Sequence, residues 1–237
     1  MSQARRSTTR RRWAAAGQSL VEYALLLALV AVAVILALSL LGVRVRDVYC
    51  AVTGVLGSDG ICGAYLTETF DDLADWYVER GTWTTEDGFL LGGDGEGRIF
   101  RDVGADDYTI TLDGVNLLEG NGYGVWFRTD PGPPLNGYTM QYDPGYGSGE
   151  FLIRKWVNGH ELSPIARAKP SDVGLGDFDW HNRDHQVQVV VKGDTFQTVI
   201  DGQVVLEAED DTWTGSRIGL RTWDGTHVAV DGVTVTP

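Results

Sequence analysis

Residues 185–207 read HQVQVVVKGDTFQTVIDGQVVLE, which is a series of three short β-type runs. Apolar and polar side chains alternate along His185–Lys192 and Thr195–Ile200, as they do in strands with one buried face. The pair Asp201-Gly202 separates the second run from the third, Gln203–Glu207, and an Asp-Gly pair is a strong signal for a two-residue hairpin. The stretch therefore predicts antiparallel strands joined by tight turns.

The same pattern extends over residues 67–237, where short β-type runs are bounded by Gly, Asp and Asn and no convincing helix interrupts them. Many short strands without helices predict a β-sandwich or jelly roll. A segment of this length buries a sizeable core without further disulfides. The other predicted strands are Trp83–Thr85, Phe89–Leu91, Tyr108–Leu112, Gly124–Arg128, Tyr138–Tyr142, Phe151–Val157, Arg217–Thr222 and His227–Val235.

The N-terminal part has a different character. Between Ala24 and Leu41 the only polar side chain is Ser39, and such a run spans roughly 30 Å of hydrocarbon as a helix. We predict one long helix over residues 18–56, followed by a glycine-rich hinge over residues 57–66. The predicted fold class is therefore α+β in separate parts: a long N-terminal hydrophobic helix, then an antiparallel β-sandwich of the jelly-roll, concanavalin A-like type.

Charge separates the two ends of this acidic chain, whose formal net charge is −14. The first acidic residue is Glu22, so residues 1–17 form a purely basic leader, which the positive-inside rule places in the cytoplasm. The acidic body is then expected on the other side of the membrane. An acidic body argues against nucleic acid and anionic lipid as partners. The basic residues of the leader are Arg5, Arg6, Arg10, Arg11 and Arg12.

The two cysteines of the chain, Cys50 and Cys62, follow the apolar run on the predicted non-cytoplasmic side. In an oxidising compartment they are expected to form a disulfide that closes a short loop. Two free thiols or a metal pair are the alternatives, and the lack of a nearby His disfavours the metal.

Glu22 stands at the start of the apolar run, where an ionised carboxylate is costly unless it is paired. If the chain is cut after Gly17, Gln18 gains a free α-amino group about one helical turn from Glu22. That group could pair with Glu22 of the same helix or of a neighbouring helix. The second arrangement would fix the register between subunits of a helical assembly.

Gly17, the pair Glu22-Tyr23, the basic leader and the apolar helix together resemble type IV prepilins. The adjacent Glu and Tyr are similar to those of type IVb Flp pilins of tight-adherence systems. The resemblance implies cleavage by a prepilin peptidase, passage through the inner membrane, and assembly by pilus machinery into a homopolymer of packed helices. An ordinary membrane anchor with a chance Glu-Tyr pair is the alternative.

The C-terminal part resembles the concanavalin A-like jelly rolls, and among them the laminin-G-like, sugar-associated domains of bacterial surface proteins. The resemblance rests on Thr69–Asp72, Gly124–Arg128, Asn136–Tyr138, Gly219–Trp223 and Val230–Val235. It implies the fold and leaves the ligand open, because function belongs to the site and not to the sandwich.

Three predicted strands each place a Trp and an Arg two residues apart, and therefore on one face of the strand. An indole offers an apolar platform for a sugar ring, and a guanidinium suits hydroxyls or carboxylates. We predict a glycan site if these strands are neighbours; the alternative is that the Trp rings pack in the core with the Arg stems beside them. The pairs are Trp126 with Arg128, Arg154 with Trp156 and Arg221 with Trp223, and Tyr138, Tyr142 and Tyr146 are expected at the rim.

No cofactor is expected, with calcium as the one candidate. Asp71, Asp72 and Asp231 lie at opposite ends of the β domain, where such folds bring their termini together, and carboxylate oxygens suit Ca²⁺. Solvated turn carboxylates are the alternative.

Catalysis finds little support in the sequence. A glycosidase needs two carboxylates facing each other across the bond, and no strand carries alternating acidic residues of that kind. The predicted function is a non-enzymatic pilin subunit, found in the cytoplasmic membrane as precursor and in an extracellular filament when mature, with a lectin-like domain for adhesion. The alternative is a membrane-anchored carbohydrate-active or glycan-binding surface protein that does not polymerise.

Overall fold

The computed structural model describes residues 64–223 and 225–237, apart from the side chain of Asp94. The predicted leader, helix and disulfide, with Gly17, Gln18, Glu22, Tyr23, Cys50 and Cys62, lie outside the described residues. Within the part that is described, no helix has the length and apolar character needed to cross a membrane.

The described chain is an antiparallel β-sandwich, as the sequence predicted for this part. Fourteen strands are present, and the one short 3₁₀ turn covers Pro170–Val173. The strands are β1 Leu66–Glu68, β2 Tyr77–Glu86, β3 Phe89–Asp102, β4 Tyr108–Glu119, β5 Tyr123–Thr129, β6 Gly137–Asp143, β7 Glu150–Val157, β8 His160–Ala168, β9 Asp184–Lys192, β10 Thr195–Ile200, β11 Gln203–Glu209, β12 Arg217–Thr222, β13 His227–Val230 and β14 Gly232–Thr236.

The strands pair in the order β11-β10-β9-β4-β13-β3-β12-β5-β6-β7-β8. In addition, β2 pairs with β3, β14 pairs with β4, and β1 pairs with β14. β11 lies against β7 and β8 although the pairing order puts it at the opposite end. The sheet therefore folds over on itself, and its two halves form the layers of the sandwich.

The hairpin predicted at Asp201-Gly202 is confirmed. Ile200 pairs with Gln203, and both turn residues have positive φ angles, 49° for Asp201 and 82° for Gly202. Positive φ at both central positions is what a type I′ turn requires, and the twist of that turn matches the twist of the strands.

One predicted strand is divided into two, β2, β3 and β4 extend beyond their predicted bounds, and two strands were missed. The run His227–Val235 is divided at Asp231 into β13 and β14, which pair with different parts of β4. β1 and β8 were not predicted. β8 is an exposed edge strand that contains Pro164, so it has neither the apolar alternation nor the composition of a central strand.

The main core fills the space between the layers, and a second cluster lies on the other face of the sheet. Val125 and Phe127 of β5 point into the main core. Trp126, between them, points outward and packs with residues of three other segments. We call these four side chains the outer aromatic cluster: Phe100, Trp126, Leu135 and Trp156.

Candidate functional site

Two of the three predicted Trp–Arg pairs meet on the outer face of the sheet. Arg221 lies over two indole rings, with its Cζ atom 4.6 Å from the ring centre of Trp156 and 5.0 Å from that of Trp223. Arg154 belongs to the same face, because it is two residues from Trp156 on β7. The predicted meeting of Arg154, Trp156, Arg221 and Trp223 is therefore seen in the structure.

The third pair is separated, which corrects the expectation that Trp126 and Arg128 share a face. Arg128 has a φ angle of 50°, and the register between β5 and β12 shifts at this end of the strand. The guanidinium consequently turns away from Trp126, and its Nη2 donates to the carbonyl oxygen of Gly193 at 2.8 Å. An irregularity of one residue is enough to reverse the direction of a side chain on a strand.

Tyr138 and Tyr142 do not form the rim that was expected of them. Both point into the main core and are fully buried, because the strand alternation of β6 turns Thr139 and Gln141 outward instead. The hydroxyl of Tyr142 donates to the carbonyl oxygen of Trp180 at 3.0 Å. Tyr146, in the turn after β6, does lie on the outer face, where the Cζ atom of Arg154 is 5.0 Å from its ring centre.

Exposure decides which indole can meet a ligand. Trp126 and Trp156 are 0% and 4% exposed, so the packing alternative holds for these two rings. The indole N–H of Trp156 donates to the hydroxyl of Thr139 at 3.1 Å, inside the protein. Trp223 is partly exposed and is the accessible ring of the set.

Between Trp223 and Tyr146 runs a row of hydrogen-bonded polar groups, which we call the polar strip: Gln141, Arg154, Glu161 and Arg221. Arg154 donates from Nε to Oε1 of Gln141 at 3.0 Å, and Arg221 donates from Nη1 to Oε1 of Glu161 at 3.1 Å. Gln141 also donates from Nε2 to the same Glu161 oxygen. The strip thus alternates donors and acceptors along a continuous network.

Sequence reasoning missed Gln141 and Glu161. Glu161 lies on the edge strand β8, and it reaches the strip because β8 pairs with β7 so that Glu161 stands opposite Trp156. Gln141 could have been found from the alternation of β6, since it lies between two tyrosines that point inward. No local signal in the sequence placed β8 beside β7.

The two guanidinium groups of the strip share one carboxylate. Burial lowers the pKa of Arg221, whereas the neighbouring Glu161 carboxylate opposes that effect and favours the charged guanidinium. Glu161 also lies 3.4 Å from Nε of Arg154, so one carboxylate serves two cations. The strip therefore carries two positive charges and one negative charge.

One carboxyl group beside the strip titrates in the mildly acidic range. Burial raises the pKa of Asp143 to about 6, although backbone N–H groups of Tyr146 and Gly145 and the charge of Arg154 favour its ionised form. Asp143 is the last residue of β6 and faces outward like Gln141. The charge at this end of the strip consequently changes between neutral and weakly acidic pH.

The candidate calcium ligands belong to no cluster of three or more such side chains in the part of the chain that the structure describes. β1 pairs with β14, so the ends of the domain do come together, yet Asp72 uses Oδ1 to accept from the backbone N–H of Ala74 in a local turn. Asp71 is exposed, and Asp231 lies in the bend between β13 and β14. Among residues 64–223 and 225–237, no group of three or more His, Cys, Asp or Glu side chains is arranged to hold a metal.

Comparison with known proteins identifies relatives of the β domain. The model of the 3-keto-alpha-glucoside-1,2-lyase-like domain family matches residues 66–236. The levanase of Bacillus subtilis (strain 168) is 29% identical over 167 residues, which are 68% of this chain and 23% of the levanase. The chain thus spans less than a quarter of that enzyme's length.

Solved structures agree on the sandwich. The carbohydrate-binding module CBM66 of Bacillus subtilis aligns with a TM-score of 0.58 at 26% identity and covers 69% of this chain and 96% of the module. A β-glucanase of Bacillus licheniformis (17% identity, TM-score 0.51) covers 76% of this chain and 100% of its own. The exoplasmic domain of VIP36, bound to Ca²⁺ and Man3GlcNAc, covers 73% and 88% (14% identity, TM-score 0.54). The last two show the fold alone.

Proposed function

This chain belongs to the family of 3-keto-α-glucoside-1,2-lyase-like domains, and on that premise we propose that its β domain binds carbohydrate at the polar strip. The observation that carries the proposal is the arrangement of the outer face. A hydrogen-bonding row of Gln141, Arg154, Glu161 and Arg221 is flanked by the ring of Trp223 at one end and that of Tyr146 at the other.

The chemistry of a sugar matches this arrangement. Each hydroxyl group both donates and accepts, so it needs neighbours of both kinds, and the strip offers the guanidinium donors of Arg154 and Arg221 beside the carboxylate of Glu161. The C–H face of a sugar ring is apolar and stacks on an aromatic ring, for which Trp223 is accessible. Because Arg154 and Arg221 are held by Gln141 and Glu161, the donors are fixed before the ligand arrives, which lowers the entropy cost of binding.

We assign the strip to binding and not to catalysis. A general acid needs a carboxyl group that keeps its proton near the working pH. Asp143 comes nearest to this condition, with a pKa of about 6, but a glycosidase needs a second carboxyl group facing the first. Glu161 is paired with Arg221, and Glu150, at the start of β7, is paired with Arg167 through Oε2 at 3.2 Å. The similarity to a module named for carbohydrate binding, over 96% of its length, supports the same assignment.

Trp223→Ala is expected to weaken carbohydrate binding about 10- to 30-fold, because the stacking of a sugar ring on an accessible indole contributes about 1.5–2 kcal/mol. The measurement is affinity gel electrophoresis in levan, a β-1,3-1,4-glucan and mannan, followed by calorimetry with the polysaccharide that retards the native chain. Levan is the first probe because the matched relative is a levanase.

Tyr65→Ala is the matched control, because Tyr65 is an exposed aromatic residue, 46% exposed, beside β1 and remote from the strip in the strand order. It should bind as the native chain does. If no polysaccharide retards the native chain, or if Trp223→Ala binds with unchanged affinity, carbohydrate binding at the strip is excluded.

A second proposal concerns how the domain is displayed, and it is supported by the sequence of residues 1–56. Gly17, Glu22 and Tyr23 resemble the processing and assembly residues of type IVb pilins, so the domain would be carried on a filament. Intact-mass analysis of material sheared from the cell surface tests this. A mass that begins at Gln18 in a filament fraction is expected, whereas a full-length mass confined to membranes would contradict it.

A further inference from the structure

A cavity lies beside the 144–149 turn, which also borders the strip. Its volume is about 310 Å³, and its walls come from that turn and from the segment after β8. Partly exposed aromatic rings form one wall, and charged and hydroxyl groups form the rest. The lining side chains that matter here are Ser148, Lys169, Asp177, Phe178 and Trp180.

The aromatic wall of this cleft is held in place from beneath. His185 is buried, stacks on Phe178 with ring centres 4.6 Å apart, and contacts the carbonyl oxygen of Asp179 through Nε2 at 2.9 Å. Trp180 packs edge-on against Tyr142 at 4.8 Å, and Tyr142 donates its hydroxyl proton to the Trp180 carbonyl oxygen. The rings are therefore positioned without a ligand, as binding sites on rigid supports require.

Close approach of the two walls depends on Gly149. A Cβ atom at this position would lie 2.9 Å from ring atoms of Trp180, closer than real contacts allow, and the φ angle of Gly149 is 92°. The absence of a side chain lets the edge of the indole lie directly on the turn. The shape of the cleft is therefore determined by the direct contact between Gly149 and the indole of Trp180.

Two charged side chains of the cleft have no partner among the described residues, whereas a third, Asp179, is paired with Nη1 of Arg183 at 3.0 Å. Among the described residues, the carboxylate of Asp177 and the amino group of Lys169 make no hydrogen bond or ion pair with another side chain, and both residues are exposed. A free acceptor, a free donor and a partly exposed indole in one cavity are the groups that recognise a sugar unit.

The cleft and the strip share the 144–149 turn. Tyr146 faces Arg154 on the strip, while Ser148, two residues further on, lines the cleft, and two residues of chain span at most about 7 Å. We propose that the cleft is a second carbohydrate subsite, which continues the strip across the turn and selects chains of several sugar units. This proposal rests on carbohydrate binding at the strip.

Calorimetry with fragments of one to six sugar units, prepared from the polysaccharide that retards the native chain, tests the subsite. The native affinity should rise with fragment length, and the double variant Lys169→Ala, Asp177→Ala should lose about 10-fold for the longest fragments while binding one or two units as before. Lys192→Ala with Asp194→Ala is the matched control, since it removes the same two charges from the exposed end of β9 and its turn.

Failure of the cleft proposal can be distinguished from failure of carbohydrate binding at the strip. If the native chain is retarded by none of the polysaccharides, the strip and the cleft both fail. If the native affinity does not rise with length, or if the double variant binds every length as the native chain does, the cleft alone is excluded. An equal loss for all lengths would also exclude a separate subsite, because that loss would belong to the strip. The melting temperature of each variant shows whether it is folded.

Discussion

Replacing Trp126 with alanine is expected to lower the free energy of unfolding of the β domain by about 3–5 kcal/mol. The indole is 0% exposed and packs between Phe100 and Trp156, with ring centres 5.7 Å and 4.9 Å away. Its N–H has no hydrogen-bond partner among the described residues, so the loss is one of packing alone. Because domains are stable by only about 5–15 kcal/mol, this is a large share of the total.

Urea denaturation and thermal unfolding measure the effect, and for a domain of this size each kcal/mol lowers the melting temperature by about 2–4 °C. Trp126→Phe should recover part of the loss, since it restores an aromatic ring to the cavity. Trp223→Ala is the matched control: it removes the same side chain from the same face of the sheet, yet it should change stability far less because Trp223 is partly exposed. Equal losses of stability for Trp126→Ala and Trp223→Ala would contradict the structure.

This contrast shows what strand alternation can and cannot predict. Alternation correctly places Arg154 with Trp156 and Arg221 with Trp223 on one face, since the period of a strand is two residues. It does not say which part of that face is covered. Leu135, from the loop after β5, packs with Trp126 and Trp156, and nothing in the sequence near those tryptophans indicates this contact.

The other failures of the sequence prediction occur where a strand is irregular, or where a strand pairs with a segment that cannot be identified from the local sequence. Arg128 is misplaced because of one irregular residue at the end of β5. Glu161 is missed because its strand is an exposed edge that only the partner strand β7 holds in place. The fold was accessible from the sequence because many strands repeat the same signal, whereas a binding surface depends on a few contacts between distant segments.

Asp210→Asn is expected to lower the free energy of unfolding at pH 7 by about 2–3 kcal/mol, because the carboxylate is mostly buried and charge-assisted hydrogen bonds are strong. Asp210 follows β11 and accepts from Lys155 Nζ at 2.5 Å, from the Tyr138 hydroxyl at 2.5 Å and from the backbone N–H of Thr212 at 3.0 Å. These bonds tie the segment after β11 to β6 and β7, the strands that also carry the strip.

The loss of stability caused by Asp210→Asn should become smaller as the pH is lowered. Burial alone would raise the pKa of Asp210, but hydrogen bonds from Lys155, Thr212 and Tyr138 outweigh it and hold the pKa well below its usual range. The unfolded value is about 3.9. A carboxyl group with a lowered folded pKa contributes its full stability above the unfolded value and loses it as the pH falls further. The difference between native chain and variant should therefore be largest at pH 7 and shrink toward pH 3.

Asp211→Asn provides the control, since Asp211 is adjacent in sequence, exposed and has the same charge. Both variants change the net charge by one unit, so a general charge effect would shift their urea midpoints equally. A stability difference for Asp210→Asn that stays constant between pH 7 and pH 3 would show that neutral hydrogen bonds suffice here, contrary to the expectation. If the stability difference between the native chain and Asp210→Asn disappears only at acid pH, the ionised carboxylate is the group that holds the segment after β11 against β6 and β7.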